Sequence, residues 1–290
     1  MTDQDPENAQ VSAPEIYALP ENTDQSVHAM AKWLTISFLI LVLLVGLVIY
    51  NANTLATMIP FSAEKRFVEP YESVIGRTFG KYSAQSPDIE AYLEELAEKL
   101  SLAMEVPEEI EISVHYIDVD EANAFATLGG HIFVYSGLLA ALPDENSLAM
   151  VLAHEIAHIQ HRDPIASLSR GVALQMIYGF LVGGGQSVTD IFGGFGQALF
   201  SRKQEETADR AALAGLFRHY GQVHGYRTFF ELVQEEIEDD SDGGFEAWFS
   251  SHPSIQKRLQ YLDSSAEELG AAVGESSPMP DRVINELNSL

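Results

Sequence analysis

The pattern of apolar and polar positions opens on an uninterrupted apolar run, Trp33 to Tyr50, eighteen residues without a charge. Extended by Asn51 and Ala52, it is about long enough to cross a ~30 Å hydrocarbon layer as one helix. Trp33 and Tyr50 stand at its ends, where interfacial aromatics sit. The pattern therefore predicts a single transmembrane anchor over 33–52. A removable leader fits less well, because the run starts late and no clear small-x-small site follows it at once. Residues 1–32 carry six acids, three prolines and one base, Lys32, and read as an acidic disordered tail. Past the run lies a juxtamembrane segment, 53–87, in which Ile59-Pro60 turns into a short helix.

Beyond Ser86-Pro87-Asp88, a helix-start signal, Ile89, Tyr92, Leu93, Leu96 and Leu100 recur at helical spacing. Ile110 to Ile117 alternates apolar and polar residues, which predicts a strand. Asn123 to Leu139 divides at Gly129-Gly130 into two short β-type runs, a hairpin. Pro143-Asp144-Glu145-Asn146 then starts a helix whose body, Leu148 to Ile159, is apolar on most sides and so is expected to be buried. Pro164 breaks or bends that helix. Residues 171–200 are apolar and Gly-rich, a buried helix followed by a mobile loop, with a lid or membrane-dipping surface as the alternative. Ser201 to Leu213 is a strong helix former, and Ile255, Leu259 and Leu262 mark another helix after His252-Pro253. The sum is an α+β chain: a mostly helical domain over 88–265 with a small sheet, then a C-terminal tail, 266–290, with a short helix near Asp281.

Composition narrows what such a domain does. The formal charge of −27 over 290 residues repels phosphate and excludes nucleic acid as a partner. There is no cysteine, hence no thiolate ligand and no cysteine nucleophile, and any metal must be held by His and carboxylates. Glu231 to Glu246 holds eight acids and no base; it reads as a solvated helix end and loop and lacks the spacing of an EF-hand.

The chemistry lies in the apolar helix. His154, Glu155 and His158 have the spacing HExxH. Residues four apart share a helix face, so His154 and His158 can hold one metal between them. Glu155 is placed to serve as base for a water on that metal. In the helix from Ser201, Glu205 and Asp209 are also four apart. Glu205 is the favoured third ligand of a His₂Glu site, with Asp209 accepting the spare N–H of a ligand histidine. Glu206 is the rival, about 100° round the helix and without a same-face acid one turn on. The metzincin extension would need Gly at 161 and His at 164, where the chain has His161 and Pro164. His161 and the strand residue His131 are not expected to be ligands.

His154-Glu155-x-x-His158, Glu205-x-x-x-Asp209, Asn123-Ala-Phe and Ser251-His252-Pro253 together resemble the gluzincin endopeptidases. More narrowly, residues 60–265 resemble the family of HtpX, the CAAX prenyl protease and BepA, peptidase family M48. The resemblance implies a compact zinc peptidase domain with a small sheet beside the active helix. One zinc ion per chain would be held by His154, His158 and Glu205, with Glu155 as the catalytic base. It also puts His252 at or near the zinc, as an extra ligand in a closed state or as an oxyanion donor; a surface helix-start residue is the other reading. Arg258 is a further oxyanion candidate. The chain departs from HtpX and the prenyl proteases in having one transmembrane run, which is closer to members with a single anchor or a soluble domain, many of which face the periplasm.

These readings give an expected function. An exposed edge strand over Asn123, Ala124, Phe125 and Ala126 would hold extended peptide by its backbone. The chain would be a single-pass, bacterial-type inner-membrane endopeptidase that cuts unfolded or damaged proteins, with its domain in the periplasm. The alternative is a chaperone-like client-binding protein whose metal site is structural or latent.

Overall fold

The computed structural model describes residues 23–51, 54, 55, 58–69, 86–169, 171, 200–238, 252 and 255–289. The Gly-rich stretch 172–199 and the acidic loop 239–251 lie outside the described residues, as do residues 1–22. The chain divides into two compact units, Met1–Gly46 and Leu47–Leu290. Helix α1, Thr23–Tyr50, contains the apolar run, and Leu34, Leu39, Leu43 and Leu47 on it are exposed. Among the described residues it is the one helix long and apolar enough to cross a membrane. It begins ten residues before Trp33, so residues 23–32 are helical where the composition predicted a disordered tail. Ala29, Met30 and Ala31 are good helix formers and continue the helix that the apolar run starts.

In the second unit, α2, Phe61–Val68, turns Phe61, Glu64 and Val68 inward. Helix α3, Pro87–Ala103, buries Ile89, Tyr92, Leu93, Leu96 and Leu100, the stripe its periodicity predicted. Three strands follow: β1, Ser113–Ile117; β2, Ala124–Ala126; and β3, His131–Tyr135. The order is β1-β3-β2, with β1 parallel and β2 antiparallel to β3. The hairpin between β2 and β3 turns through Leu128–Gly130. Gly130 has φ +85°, and a Cβ there would fall 1.9 Å from the Glu111 carbonyl oxygen, so no other residue fits. Alternate strand residues serve two cores. Val114, Tyr116, Ile132 and Val134 face the main one, while Ile117, Phe125, Phe133 and Tyr135 join Val68, Leu128 and Ile165 in a smaller one.

After α4, Ser136–Ala141, comes the central helix α5, Glu145–Gln160, in which every residue from Asn146 to Ile159 is buried. Asp144 caps it, accepting from the Ser147 amide at 2.8 Å and also from Ser276 and His224. The helix ends where Arg162 adopts φ +64°, and a new helical stretch, 163–169, takes Pro164 in its first turn. Arg162 pairs with the buried Glu64 at 2.8 Å, and Glu64 also accepts from the Gly129 amide. These bonds fasten α2 to both the hairpin turn and the end of α5.

Helix α6, Arg202–Tyr220, lies along α5 and is started by a capping box of Ser201 and Gln204. It is followed by α7, Thr228–Glu238; α8, Ile255–Glu268; and α9, Asp281–Leu287. The residues expected to form a tail are part of the fold. Met279 and Val283 are buried in the main core, and Glu286 accepts from the Ile89 amide at 3.0 Å, satisfying a free N–H at the start of α3.

Candidate metal centre

Two turns of α5 and the first turn of α6 bring the predicted ligands together. His154 and His158 direct their Nε2 atoms at one point, 3.0 Å apart. Glu205 reaches the same point, with Oε1 3.4 Å from His158 Nε2 and Oε2 3.7 Å from His154 Nε2. His252 completes the group: its Nδ1 lies 3.0 Å from Glu205 Oε1 and 3.4 Å from His154 Nε2. One donor atom from each of the four residues falls within 4.8 Å of the others, and all four side chains are buried. Three imidazole nitrogens and a carboxylate oxygen form a donor set suited to zinc. Glu206, by contrast, pairs with Arg210 on the half-exposed face of α6. His161 stays outside the cluster, and His131 pairs with His115 at 2.8 Å.

Each α5 histidine is held from its far side. His154 Nδ1 lies 2.8 Å from Asp209 Oδ1, and His158 Nδ1 lies 2.9 Å from Asp163 Oδ2. An ionised carboxylate only accepts, so Nδ1 carries a proton toward it, and the neutral ring that a metal takes presents its lone pair inward from Nε2. Phe200 stacks on the His158 ring with centroids 4.0 Å apart. Burial disfavours a charged His158, but its bonds to Asp163 and Glu205 outweigh this and push its pKa up to about 10. His154 moves down, chiefly through burial and then through the charge on His158.

Arg258 is buried within this network. It donates from Nε to Asp209 Oδ2 at 2.8 Å and from a terminal nitrogen to Asp209 Oδ1 at 2.7 Å. Its other terminal nitrogen lies 2.8 Å from Glu205 Oε2, and its guanidinium sits over the Phe230 ring. Tyr261 adds a further bond to Asp209. Burial alone would raise both carboxylates. Instead Arg258, with His252 at Glu205 and His154 at Asp209, holds them well below the usual range. Arg258, one of two oxyanion candidates in the sequence, directs its guanidinium at the carboxylates of Asp209 and Glu205.

Glu155 is anchored by one oxygen, Oε2, which accepts from the Ala126 amide of β2 at 2.7 Å. Its other oxygen, Oε1, is buried without a hydrogen-bond partner, 3.7 Å from His252 Nε2. β2 does lie at the edge of the sheet and beside α5. Yet Asn123, Ala124, Phe125 and Ala126 are all buried, where the sequence predicted an exposed edge.

Sequence reasoning missed Asp163, Gln204 and Phe200. Asp163 lies beyond the end of α5, past the left-handed turn at Arg162, so helical spacing from His158 does not place it. Gln204 Nε2 donates to Asp163 Oδ1, and its only sequence signal was the capping box.

The chain is 28% identical over 248 residues to the mitochondrial metalloendopeptidase OMA1 of Danio rerio, covering 75% of this chain and 47% of that protein. It is 29% identical over 170 residues to the mitochondrial metalloendopeptidase OMA1 of Schizosaccharomyces pombe, 57% of this chain and 50% of that one. The beta-barrel assembly-enhancing protease of Escherichia coli is 26% identical over 175 residues, 56% of this chain and 36% of that protein. The chain thus spans half or less of the length of these curated relatives. The sequence profile of Peptidase family M48, whose members use zinc, matches residues 83–266, the stretch that supplies every side chain of the four-donor cluster, and the chain belongs to that family.

Proposed function

We propose that the chain is a membrane-anchored zinc endopeptidase cutting extended segments of unfolded or damaged proteins. The observation that carries this reading is the pairing of a buried four-donor cluster with a carboxylate that is anchored through one oxygen and open at the other. His154, His158 and Glu205 hold the zinc. When bound, zinc polarises the scissile carbonyl and acidifies water. Glu155 takes the proton of the attacking water at Oε1 and passes it to the leaving amine, while the Ala126 amide keeps the carboxylate in place. β2 pairs with the substrate backbone, and Asn123 Oδ1, buried without a partner, is free to accept a substrate N–H. The length and apolar character of α1 support a single-pass anchor; placing it in an inner membrane with the domain in the periplasm is part of the proposal. Protease digestion of spheroplasts, reading which end is removed, tests the sidedness. The purified full chain loaded with zinc is expected to cut casein, and a zinc chelator is expected to stop it. Cutting that persists in chelator would refute the reading.

His252 gives the proposal its present state. It stands as the fourth donor, β2 is covered, and the arrangement is closed. Cleavage then requires His252 to withdraw. His252→Ala is expected to weaken zinc binding about 10-fold and to raise the rate of casein cleavage. If zinc affinity and rate both stay at wild-type values, His252 has no part in the site. The same closed donor set also favours the second reading, a client-binding protein with a latent metal, since structural zinc sites keep no open position. That reading requires client binding without chelator-sensitive fragments.

A further inference from the structure

Gln204 is bonded at both ends of its amide. Oε1 accepts from the Ser201 amide at 3.0 Å and from the Ser201 hydroxyl at 2.8 Å. Nε2 donates to Asp163 Oδ1. Asp163 Oδ2 in turn takes the Nδ1 proton of His158. Both residues are buried, Gln204 at 4% exposure and Asp163 at 2%, so water does not substitute for either bond. The two neighbours fix the orientation of the amide: a backbone N–H requires the oxygen, and a carboxylate requires the nitrogen. A glutamate at this position of a capping box serves the cap as well as glutamine does. It offers no donor to Asp163, and it would set a second carboxylate against the first. The cap alone therefore does not account for glutamine here.

We propose that Gln204 is a positioning residue of the metal centre, holding Asp163 so that His158 presents Nε2 to the metal. The inference rests on the zinc reading above and deepens it. Gln204 is the immediate neighbour of Glu205. The first turn of α6 thus supplies one ligand directly and orients another on α5 through Asp163, while Phe200, just before the cap, stacks on the same ring. This sets the register between the two ligand helices by side-chain bonds at the site itself. Loss of the Gln204 donor leaves Asp163 Oδ1 buried without it and frees the His158 ring to rotate away from the cluster.

The test measures zinc affinity of the full chain in detergent by competition with a chelator, alongside thermal unfolding in excess chelator. Gln204→Glu retains the acceptor for Ser201 and removes the donor to Asp163; it is expected to weaken zinc binding 10- to 100-fold, the range for partners of ligand histidines. Asp163→Asn keeps an acceptor for Gln204 but turns an amide N–H toward His158, and the same loss is expected. Ser201→Ala removes the cap hydroxyl and leaves the bond to Asp163; it is expected to lower the melting temperature and to change zinc affinity by less than about threefold, well below the loss typical of such partners. The proposal is overturned if Gln204→Glu or Asp163→Asn binds zinc like wild type, or if Ser201→Ala weakens zinc as much as they do. His158→Ala separates the two levels. If it too leaves zinc affinity unchanged, the metal reading itself has failed; if it weakens zinc while the other two do not, only the role of Gln204 falls.

Discussion

Glu155→Gln is expected to keep zinc and to lose about 10²- to 10⁴-fold in peptide-bond cleavage, the usual contribution of a general base. The geometry makes this a narrow substitution. Gln is nearly isosteric with Glu, and its carbonyl oxygen can still accept from the Ala126 amide, which Oε2 does at 2.7 Å. The amide nitrogen then falls where Oε1 stands, 3.7 Å from His252 Nε2. An acceptor able to take a proton is replaced by a donor that is not. Glu155 is absent from the four-donor cluster, so metal affinity is not expected to change. The measurement is paired: zinc content by metal analysis, and casein cleavage by the same preparation. A variant that cuts at the wild-type rate would show that Glu155 is not the base. A variant that has lost its zinc would show that Glu155 helps to hold the metal, against the geometry.

The parts of the site that were legible in the sequence are those governed by one helical repeat. His154 and His158 share a face because they are four apart on α5, and Glu205 and Asp209 do so on α6. The choice of Glu205 over Glu206 rested on the same repeat, since Glu205 alone has a same-face acid one turn on; in the structure Glu205 is buried in the cluster and Glu206 pairs with Arg210 near the surface. Long-range placement was not legible in local spacing; only the family resemblance put His252 at or near the zinc. His252 reaches the cluster from 98 residues beyond His154, and no local pattern fixes such a contact. Asp163 is five residues from His158, yet the positive φ of Arg162 intervenes and breaks the helical register. The sheet shows the same division. Alternation and Gly129-Gly130 indicated the strands and the hairpin, but burial of the β2 edge depends on what packs over it. At the chain ends, composition misled. Residues 23–32, Val27, Ala29, Met30 and Ala31 among them, continue a helix; the Gly- and Ser-rich stretch before α9 delivers Met279 to the core, and α9 itself delivers Val283.

Arg258→Met is expected to cost about 3–5 kcal/mol of folding stability at pH 7, the range for removing one partner from a buried ion pair. Met retains much of the side-chain volume over the Phe230 ring, so the loss reports charge more than packing. Arg258 faces two carboxylates, Asp209 through two hydrogen bonds and Glu205 at 2.8 Å. Without it, both acids remain buried with only histidines and Tyr261 for company. The pH dependence separates this account from a packing defect. In the wild type, Glu205 and Asp209 are held below their unfolded values. Their stabilising contribution is therefore complete above the ordinary carboxylate range and is lost as pH falls through the folded values. In the variant, burial acts without the guanidinium and raises both groups, so their charge opposes folding near neutrality and is relieved by protonation as pH falls. Urea unfolding of the full chain in detergent and chelator, followed by circular dichroism, is expected to show the largest gap between the two proteins near pH 7 and a smaller one toward pH 4. A gap that is constant across this range would mean that Arg258 acts through its volume, and a gap that widens on acidification would contradict the charge assignment of the cluster.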